Sequence, residues 1–384
     1  MGLEDKLRYL FILYSKNRME IFKIKKCIQE NYLKRFSEPK DDIERSYYQY
    51  KCQMKFKSFF VRFILNIVSL PLVIYYLNKL YVKQCATIKK SKEAKKKTAV
   101  FSCKGIYNVI PDTIVKNYKI LRVDFRDGLL LKQDVQYIKT ILKKYRLSVF
   151  FILKIILKIS KYRKIIQSYS PEAIIVCAEY NSESSILTDY CEKNGIKHIN
   201  VMHGEKIYFI RDSFFRFSEC YVWNDYYVQL FKKLRAENNQ FKIELPKSMC
   251  FNNTYKKTVD FTYYLMSEKT DELKRINKIL CQLKHKYLAE VFVRPHPIYS
   301  NIRQVNKIFT NIQIENNKDI TIEESIMRTK NVIALYSTVL NQAHNNGVNI
   351  IIDDMTQKYN YEKLKDLEYI MLSHEFDKLS DLLK

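Results

Sequence analysis

The stretch "EAIIVCAEYNSESSILTDYCEKNGIKHINVMHG", residues 172–204, decides the fold. It opens on a near-continuous apolar run at 172–180, crosses a helix-length segment at 182–194, meets Gly195, and enters a second apolar run at 197–203. A strand that is apolar throughout, not alternately apolar and polar, is one buried on both faces. Such strands alternating with helices build a parallel sheet covered on both sides. Gly195 needs only the capping explanation, because the left-handed residue just past a helix is most easily glycine. The pattern extends outward in both directions. "TAVFSC" (98–103) and "KILRVDF" (119–125) precede it, helical spacing runs over 132–167, and "CYVW" (220–223) follows. After a charged stretch around 235–258 the alternation restarts. It runs through "DFTYYLM" (260–266), a helix over 270–287, "AEVFVR" (289–294), "NVIALYS" (331–337), a helix with Gly347 at its end, and "VNIIID" (348–353). The expected fold class is therefore α/β, with two Rossmann-like parallel-sheet domains facing a cleft, 98–245 and 246–384. A basic helical extension over 1–97 precedes them. In open parallel sheets ligands sit at the carboxyl ends of the strands, so the chemistry is sought there.

Composition excludes several alternatives. A chain of 384 residues, 47% hydrophobic and 14% aromatic, buries a sizeable core and is not disordered. Its nine cysteines are scattered singly, with no CxxC pair, which argues for reduced thiols and against a disulfide framework or zinc site. The opening "MGLEDKLRYL" carries acids where a secretory signal carries bases. A cytoplasmic location is the expectation. No zinc-finger spacing, RNP-type strand or Gly-rich clamp accompanies the net charge of +26, so no nucleic-acid partner is expected.

The base excess is concentrated at the start. Residues 1–98 hold 23 Lys and Arg against 9 Asp and Glu, an excess of 14. Within them "FILNIVSLPLVIYYL" (63–77) is uncharged and "KKSKEAKKK" (89–97) is polybasic. Fifteen residues interrupted by Asn66, Ser69 and Pro71 fall short of the roughly 20 needed to span a bilayer. An apolar helix beside a lysine cluster suits the interface of an anionic membrane surface, and a buried core helix with a solvated linker is the competing reading. "LSVFFILKIILKI" (147–159), with lysines every fourth residue, is expected to be a second membrane-facing surface.

The candidate site residues lie at strand ends. His296 follows "AEVFVR" within "VRPHPIYSN" (293–301), flanked by Pro295 and Pro297, with Arg294 adjacent. An imidazole held there is suited to bonding a phosphate. Ser337 and Thr338 stand at the start of the next helix, where hydroxyls and free N–H groups form an anion site or simply cap. In the first half, "NVMHGEKIYFIRD" (200–212) closes a strand with His203 and places Gly204, Glu205, Lys206 and Arg211 beside it. Imidazole supplies a base of near-neutral pKa for a hydroxyl nucleophile. Glu179, ending 172–180, is a second candidate for that role. Gly105 follows a strand where backbone would approach a ligand. The absence of GxGxxG and GxxxxGK[ST] leaves dinucleotide and P-loop sites unsupported. Asp353 and Asp354 do not form a DxD motif and are expected in a solvated loop, so no metal is expected.

At these residues a resemblance emerges. "RPHP" followed by "YSTVLNQAHNNGVNIII" resembles the HP and Ser motifs of GT-B transferases that build bacterial surface polymers. These comprise capsular polysaccharide glycosyltransferases, bacterial sialyl- and polysialyltransferases and teichoic-acid CDP-glycerol glycerophosphotransferases. "MHGEK" followed by "YVWNDYYVQLFKKL" is similar to the HG motif and following helix of the capsule and teichoic-acid members. The resemblance covers roughly residues 98–355. It implies contacts from His296, Ser337 and Thr338 to the donor nucleotide's phosphates, and a base role for His203. It also implies an acceptor domain at 98–245 and a donor domain at 246–384. Two departures leave the donor open: "RDG" (126–128) has one acid where sialyltransferases carry two, and "YST" stands where teichoic-acid enzymes show paired serines.

The expectation is a metal-independent GT-B glycosyltransferase with no cofactor beyond its nucleotide-activated donor, CMP-linked donors included. Its partners would be a nucleotide-sugar, a lipid-linked or polysaccharide acceptor and an anionic membrane surface, placing it on the inner face of the cell membrane. Transfer of glycerol phosphate or another polyol phosphate from a CDP donor is the rival enzymatic reading. A non-enzymatic basic membrane-binding protein is the rival outside enzymes.

Overall fold

The computed structural model describes residues 24–82, 97–102, 108–124, 127–253 and 255–384, with Leu7 and Phe11. Gly105 and the lysines at 89–96 lie outside the described residues. Two compact units divide the chain. The first comprises Met1–His203 and Tyr208–Glu244, the second Gly204–Ile207 and Leu245–Lys384.

The first unit includes helices α1 (Lys26–Leu33), α2 (Asp42–Met54) and α3 (Phe59–Leu80). Asp41 and Ser58 start the second and third of these by accepting the N–H of Glu44 and Val61 through their side chains, each satisfying one of a helix's free amino-end donors. The sheet elements follow: β1 (Lys97–Phe101), α4 (Asp112–Asn117), β2 (Tyr118–Arg122), α5 (Lys132–Tyr145), α6 (Val149–Tyr169), β3 (Ala173–Val176), α7 (Ser184–Lys193), β4 (Lys197–Val201), β5 (Glu219–Val222), α8 (Asp225–Lys233) and β6 (Phe241–Ile243). Their order in the sheet is β2-β1-β3-β4-β5-β6, every pairing parallel. The two runs of 172–204 thus lie side by side, Ala173 opposite Lys197 and Val176 opposite Asn200. Gly195 takes φ +69 at the end of α7, the left-handed conformation expected of a capping glycine.

The segment 147–159 corrects an expectation. From Val149 on it belongs to α6, on which Phe150, Phe151, Ile152, Leu153, Ile155, Ile156 and Ile159 have no solvent exposure, so that part is a core helix, whereas Leu147 ahead of it is 85% exposed. A helix apolar on every side is stable only when covered on every side. Its buried lysine is neutralised within the protein: Lys154 Nζ lies 2.6 Å from Glu183 Oε1 and donates to Ser182 Oγ at 2.8 Å. The single helix expected over 132–167 is in fact two, broken at 146–148. Gly128, in contrast, is required by close approach, since a Cβ there would meet Ser160 Oγ of α6 at 2.3 Å.

In the second unit β7 (Val259–Tyr264), α9 (Thr270–Tyr287), β8 (Val291–Arg294), α10 (Ile302–Ile308), β9 (Gln313–Ile314), α11 (Ile322–Arg328), β10 (Thr329–Ala334), α12 (Thr338–Asn345), β11 (Asn349–Ile352), α13 (Lys358–Asp366), β12 (Asp377–Lys378) and α14 (Leu379–Leu382) succeed one another. The sheet order is β12-β11-β10-β7-β8-β9, again wholly parallel. Its first three strands step outward to one edge and its last three to the other, the doubly wound Rossmann order. The chain is therefore α/β with two Rossmann-like sheets. Asp353 also departs from expectation: it is completely buried, accepting from Tyr263 Oη at 2.5 Å, from Thr356 Oγ1, and from the N–H groups of Met355 and Thr356. Placed at the end of β11 beneath Tyr263, it is shut off from water, and the buried carboxylate is matched donor by donor. Asp354 accepts from the N–H and hydroxyl of Ser380 at the start of α14.

Candidate active site

In a doubly wound sheet the crevice opens where successive strands depart in opposite directions. In the first unit that point lies between β1 and β3. The loop after β3 carries Glu179, whose side chain is fully buried. The loop after the neighbouring β4 carries His203, with Nδ1 3.9 Å from Glu179 Oε1 and a quarter of its side chain open to solvent. That separation becomes an ion pair when the ring takes a proton. The sequence motifs thus converge: a carboxylate and an imidazole 24 positions apart meet because β3 and β4 are adjacent and parallel.

The N-terminal helices fix these loops. From α2, Gln49 Nε2 donates to the carbonyl of Glu179 at 2.8 Å and to that of Arg211 at 3.1 Å. Gln53 Nε2 donates to the carbonyl of Tyr180 at 2.8 Å. From α1, Gln29 accepts the N–H of Ile210 through Oε1 at 2.9 Å and donates to the carbonyl of Tyr208 at 3.4 Å. All three glutamines are buried. Nothing in the sequence marked them; the only signal is an amide recurring on otherwise charged, amphipathic helices. Arg211, expected beside the cleft, holds Asp212 with both Nε (2.6 Å) and Nη2 (3.0 Å) and lies over the Tyr180 ring. Its guanidinium organises this loop. At the end of β5, Trp223 Nε1 and Asn224 Oδ1 are buried and bond no group among the described residues, a donor and an acceptor that a ligand can use.

In the second unit the reversal lies between β7 and β10. Ser337 ends the β10 loop and caps α12, its hydroxyl accepting from Val339 N–H at 3.3 Å, and Thr338 is the helix's first residue. Capping is thus Ser337's observed role, and its carbonyl also accepts the N–H of Leu340 at 3.1 Å. The segment Gly204–Ile207 belongs to this unit. Asn341 Nδ2 donates to Glu205 Oε1 at 2.9 Å, Tyr336 Oη donates to the Glu205 carbonyl at 3.4 Å, and Lys206 is buried. Gly204 lies where a Cβ would rest 3.9 Å from Thr338 Oγ1, an ordinary contact, so space does not demand glycine there.

His296 is held more firmly than its prolines alone require. Its Nδ1 accepts the N–H of Ile298 at 3.1 Å and of Tyr299 at 3.2 Å, its own N–H donates to Ser300 Oγ at 2.8 Å, and its ring stacks on Tyr299 at 4.5 Å. A ring whose Nδ1 accepts carries its proton on Nε2, so Nε2–H is its donor. Burial lowers its pKa from the ordinary value, which keeps the ring neutral near pH 7. Asn317 Nδ2 supports the same loop by donating to the Pro295 carbonyl at 2.7 Å.

Arg294 departs from expectation. It is buried and pairs with Glu315, also donating to the Ile320 carbonyl at 2.9 Å, while Arg328 Nη2 takes the other Glu315 oxygen at 2.5 Å. Strand β8 turns this side chain inward, where it shares the Glu315 carboxylate with Arg328. Sequence reading missed Glu268, just past β7 on the other side of the reversal. Burial raises its carboxyl to about 7 against the opposing N–H donors of Glu268 itself and Met266, with Glu272 and Asp353 adding to the rise. An acid three to four residues beyond a buried strand was the available signal.

No protein-family model and no curated protein matches the sequence. Among solved structures, the S. aureus MnaA–UDP co-structure is similar over 75% of this chain and 90% of its own, at 9% identity and a TM-score of 0.46. The Methanocaldococcus jannaschii UDP-GlcNAc 2-epimerase in complex with UDP-GlcNAc and UDP is similar over 73% and 93%, at 14% identity and 0.42. A glycosyltransferase from Rickettsia africae ESF-5 is similar over 68% and 80%, at 10% identity and 0.37. These are likenesses of chain path.

Proposed function

We propose that the chain is a GT-B-type glycosyltransferase that moves a sugar from a nucleotide-activated donor to a lipid-linked or growing surface polysaccharide. The observation that carries this reading is the Glu179–His203 pair, a buried carboxylate 3.9 Å behind a partly exposed imidazole at the carboxyl edge of the first sheet. A base so backed takes the proton of an acceptor hydroxyl while Glu179 balances the imidazolium that forms. The acceptor oxygen then bonds to the anomeric carbon of the donor sugar, and the bond from that carbon to the nucleotide's phosphate oxygen breaks. The second unit is assigned the donor nucleotide, whose phosphates the His296 Nε2–H and Thr338 would bond. Trp223 and Asn224 supply one donor and one acceptor for sugar hydroxyls. The chemistry assigned here is metal-independent: phosphate charge is met by N–H donors, and both oxygens of Asp353 are already taken by Tyr263, Thr356 and Met355.

Titration with CMP, CDP, UDP and GDP, followed by turnover with the nucleotide-sugar of the tightest binder, tests the proposal. One nucleotide should bind well above the others. His203→Asn should then lower turnover by a factor on the order of 10² to 10⁴ while leaving that affinity nearly intact. Full turnover in His203→Asn with none in Glu179→Gln would move the base to Glu179. Binding of none of the four nucleotides would overturn the reading, and CDP-dependent transfer of a polyol phosphate would replace it with the teichoic-acid type.

A further inference from the structure

Helix α3 is apolar on two opposite faces, and among the described residues only one of them is covered. Leu65, Ser69, Leu72, Val73 and Tyr76 are buried. Asn66 Oδ1 on the same helix accepts the N–H of Phe150 at the start of α6 at 3.2 Å. The outer face carries Phe59, Phe60, Phe63, Ile67, Leu70 and Ile74, each between 52% and 76% exposed. Their spacing of three and four residues makes one stripe, about 22 Å long at 1.5 Å per residue. Soluble proteins seldom leave so continuous an apolar surface bare unless something binds it. At its amino end the stripe borders a groove of about 440 Å³, formed with Leu147 and Val149 and rimmed by Arg62.

We propose that α3 lies flat on an anionic phospholipid membrane, with this stripe among the acyl chains and the groove seating one of them. Charge selects the occupant. Arg62 stands on the rim, the sequence just beyond the helix is the polybasic 89–97, and the first 98 residues carry an excess of 14 positive charges. Such a combination binds lipid of negative charge through surface potential and apolar insertion together. Length and composition alone would also permit spanning, because the helix has 22 residues and a mean hydropathy of 1.9. The fold forbids it. Besides the Asn66 tie, the N–H of Leu130 donates to the carbonyl of Leu80 at 2.7 Å and that of Val82 to the carbonyl of Leu130 at 2.9 Å. A spanning helix would have to break these bonds and expose its inner face. The inference deepens the reading of a lipid-linked acceptor by placing the enzyme on the acceptor's membrane, yet its evidence is independent of the chemistry.

The full chain with Phe63→Trp or Ile74→Trp, mixed with vesicles of zwitterionic lipid alone or with one third anionic lipid, gives the test. The sole native tryptophan, Trp223, is buried and serves as a constant background. Quenchers placed at graded depths should report both new tryptophans at the same shallow depth, on anionic vesicles only, with release by high salt. Phe63→Ser combined with Ile67→Ser, both at exposed positions, should weaken vesicle partition by about tenfold or more while leaving helicity and nucleotide affinity unchanged. Unequal depths running toward the bilayer centre, indifference to lipid charge, or a stable dimer that the double substitution dissolves would each overturn the inference. Nucleotide binding measured without vesicles keeps such a failure distinct from failure of the proposed chemistry.

Discussion

Replacing His296 by Asn separates the loop from its ligand contact. The ring has two working atoms: Nδ1 accepts the Ile298 and Tyr299 N–H groups at 3.1 and 3.2 Å, and Nε2–H is the donor assigned to the phosphate. An asparagine oxygen accepts from the N–H groups two and three residues on, as in an Asx turn, so the loop keeps its bonds. The shorter side chain places no donor where Nε2 stood. The loss is thus one hydrogen bond to a charged phosphate, about 1.5 to 3 kcal/mol. Because burial holds the ring neutral and the donor carries no charge of its own, the lower end applies, or about tenfold in Kd. Isothermal titration of the tightest-binding nucleotide into wild type and His296→Asn measures it, with thermal unfolding confirming an intact fold. His296→Ala should cost at least as much affinity and additionally loosen the loop. The pH dependence follows from the same geometry: a pKa lowered below the ordinary 6.5 leaves Nε2–H unchanged from pH 8 to about 6.5, so wild-type affinity should be flat there. A His296→Asn protein that binds its nucleotide as tightly as wild type would refute the phosphate role.

Two further predictions concern the core. Glu183 is fully buried; burial alone would raise its carboxyl, but Lys154 and Lys158 outweigh that and hold it below the usual value. Glu183→Gln strands the Lys154 ammonium and should cost about 3–5 kcal/mol in urea unfolding, whereas the joint change of Lys154→Met and Glu183→Leu should cost less; a loss under about 1 kcal/mol in the single variant would show that the pair is not desolvated as described. His198 is enclosed by Tyr162 Oη on Nε2 and Thr188 Oγ1 on Nδ1, both at 2.8 Å, and burial, then Lys158 and Arg216, lower its pKa to about 3. A depressed pKa means that the unfolded chain takes the proton first, so the stability present above pH 6.5 falls as pH drops toward 3, by about 1.4 kcal/mol per unit. Unfolding midpoints of wild type and His198→Gln between pH 7 and 4.5 should converge as pH falls; parallel curves would contradict it.

The central strands, both helix-capping glycines and the α/β class were legible in the sequence, because a strand buried on both faces must be apolar at every position. The short edge strands at 241–243, 313–314 and 377–378 were not, since two or three residues paired on one side need no such run. Motifs placed His203, Glu179, His296 and Ser337 at strand ends one by one, as local chemistry does. What only tertiary structure decided is which groups face outward. Arg294 and Asp353 read as exposed charge and proved to be buried partners of Glu315 and Tyr263, while 147–159 read as a surface and its helical part, from Phe150 on, is core. Period and composition fix how apolar a segment is. Whether another element lies over it depends on strand order and crossover, which bring together residues far apart in sequence, and so Gln29, Gln49 and Gln53 reach the loops that hold Glu179 and Arg211 without any local sign that they would.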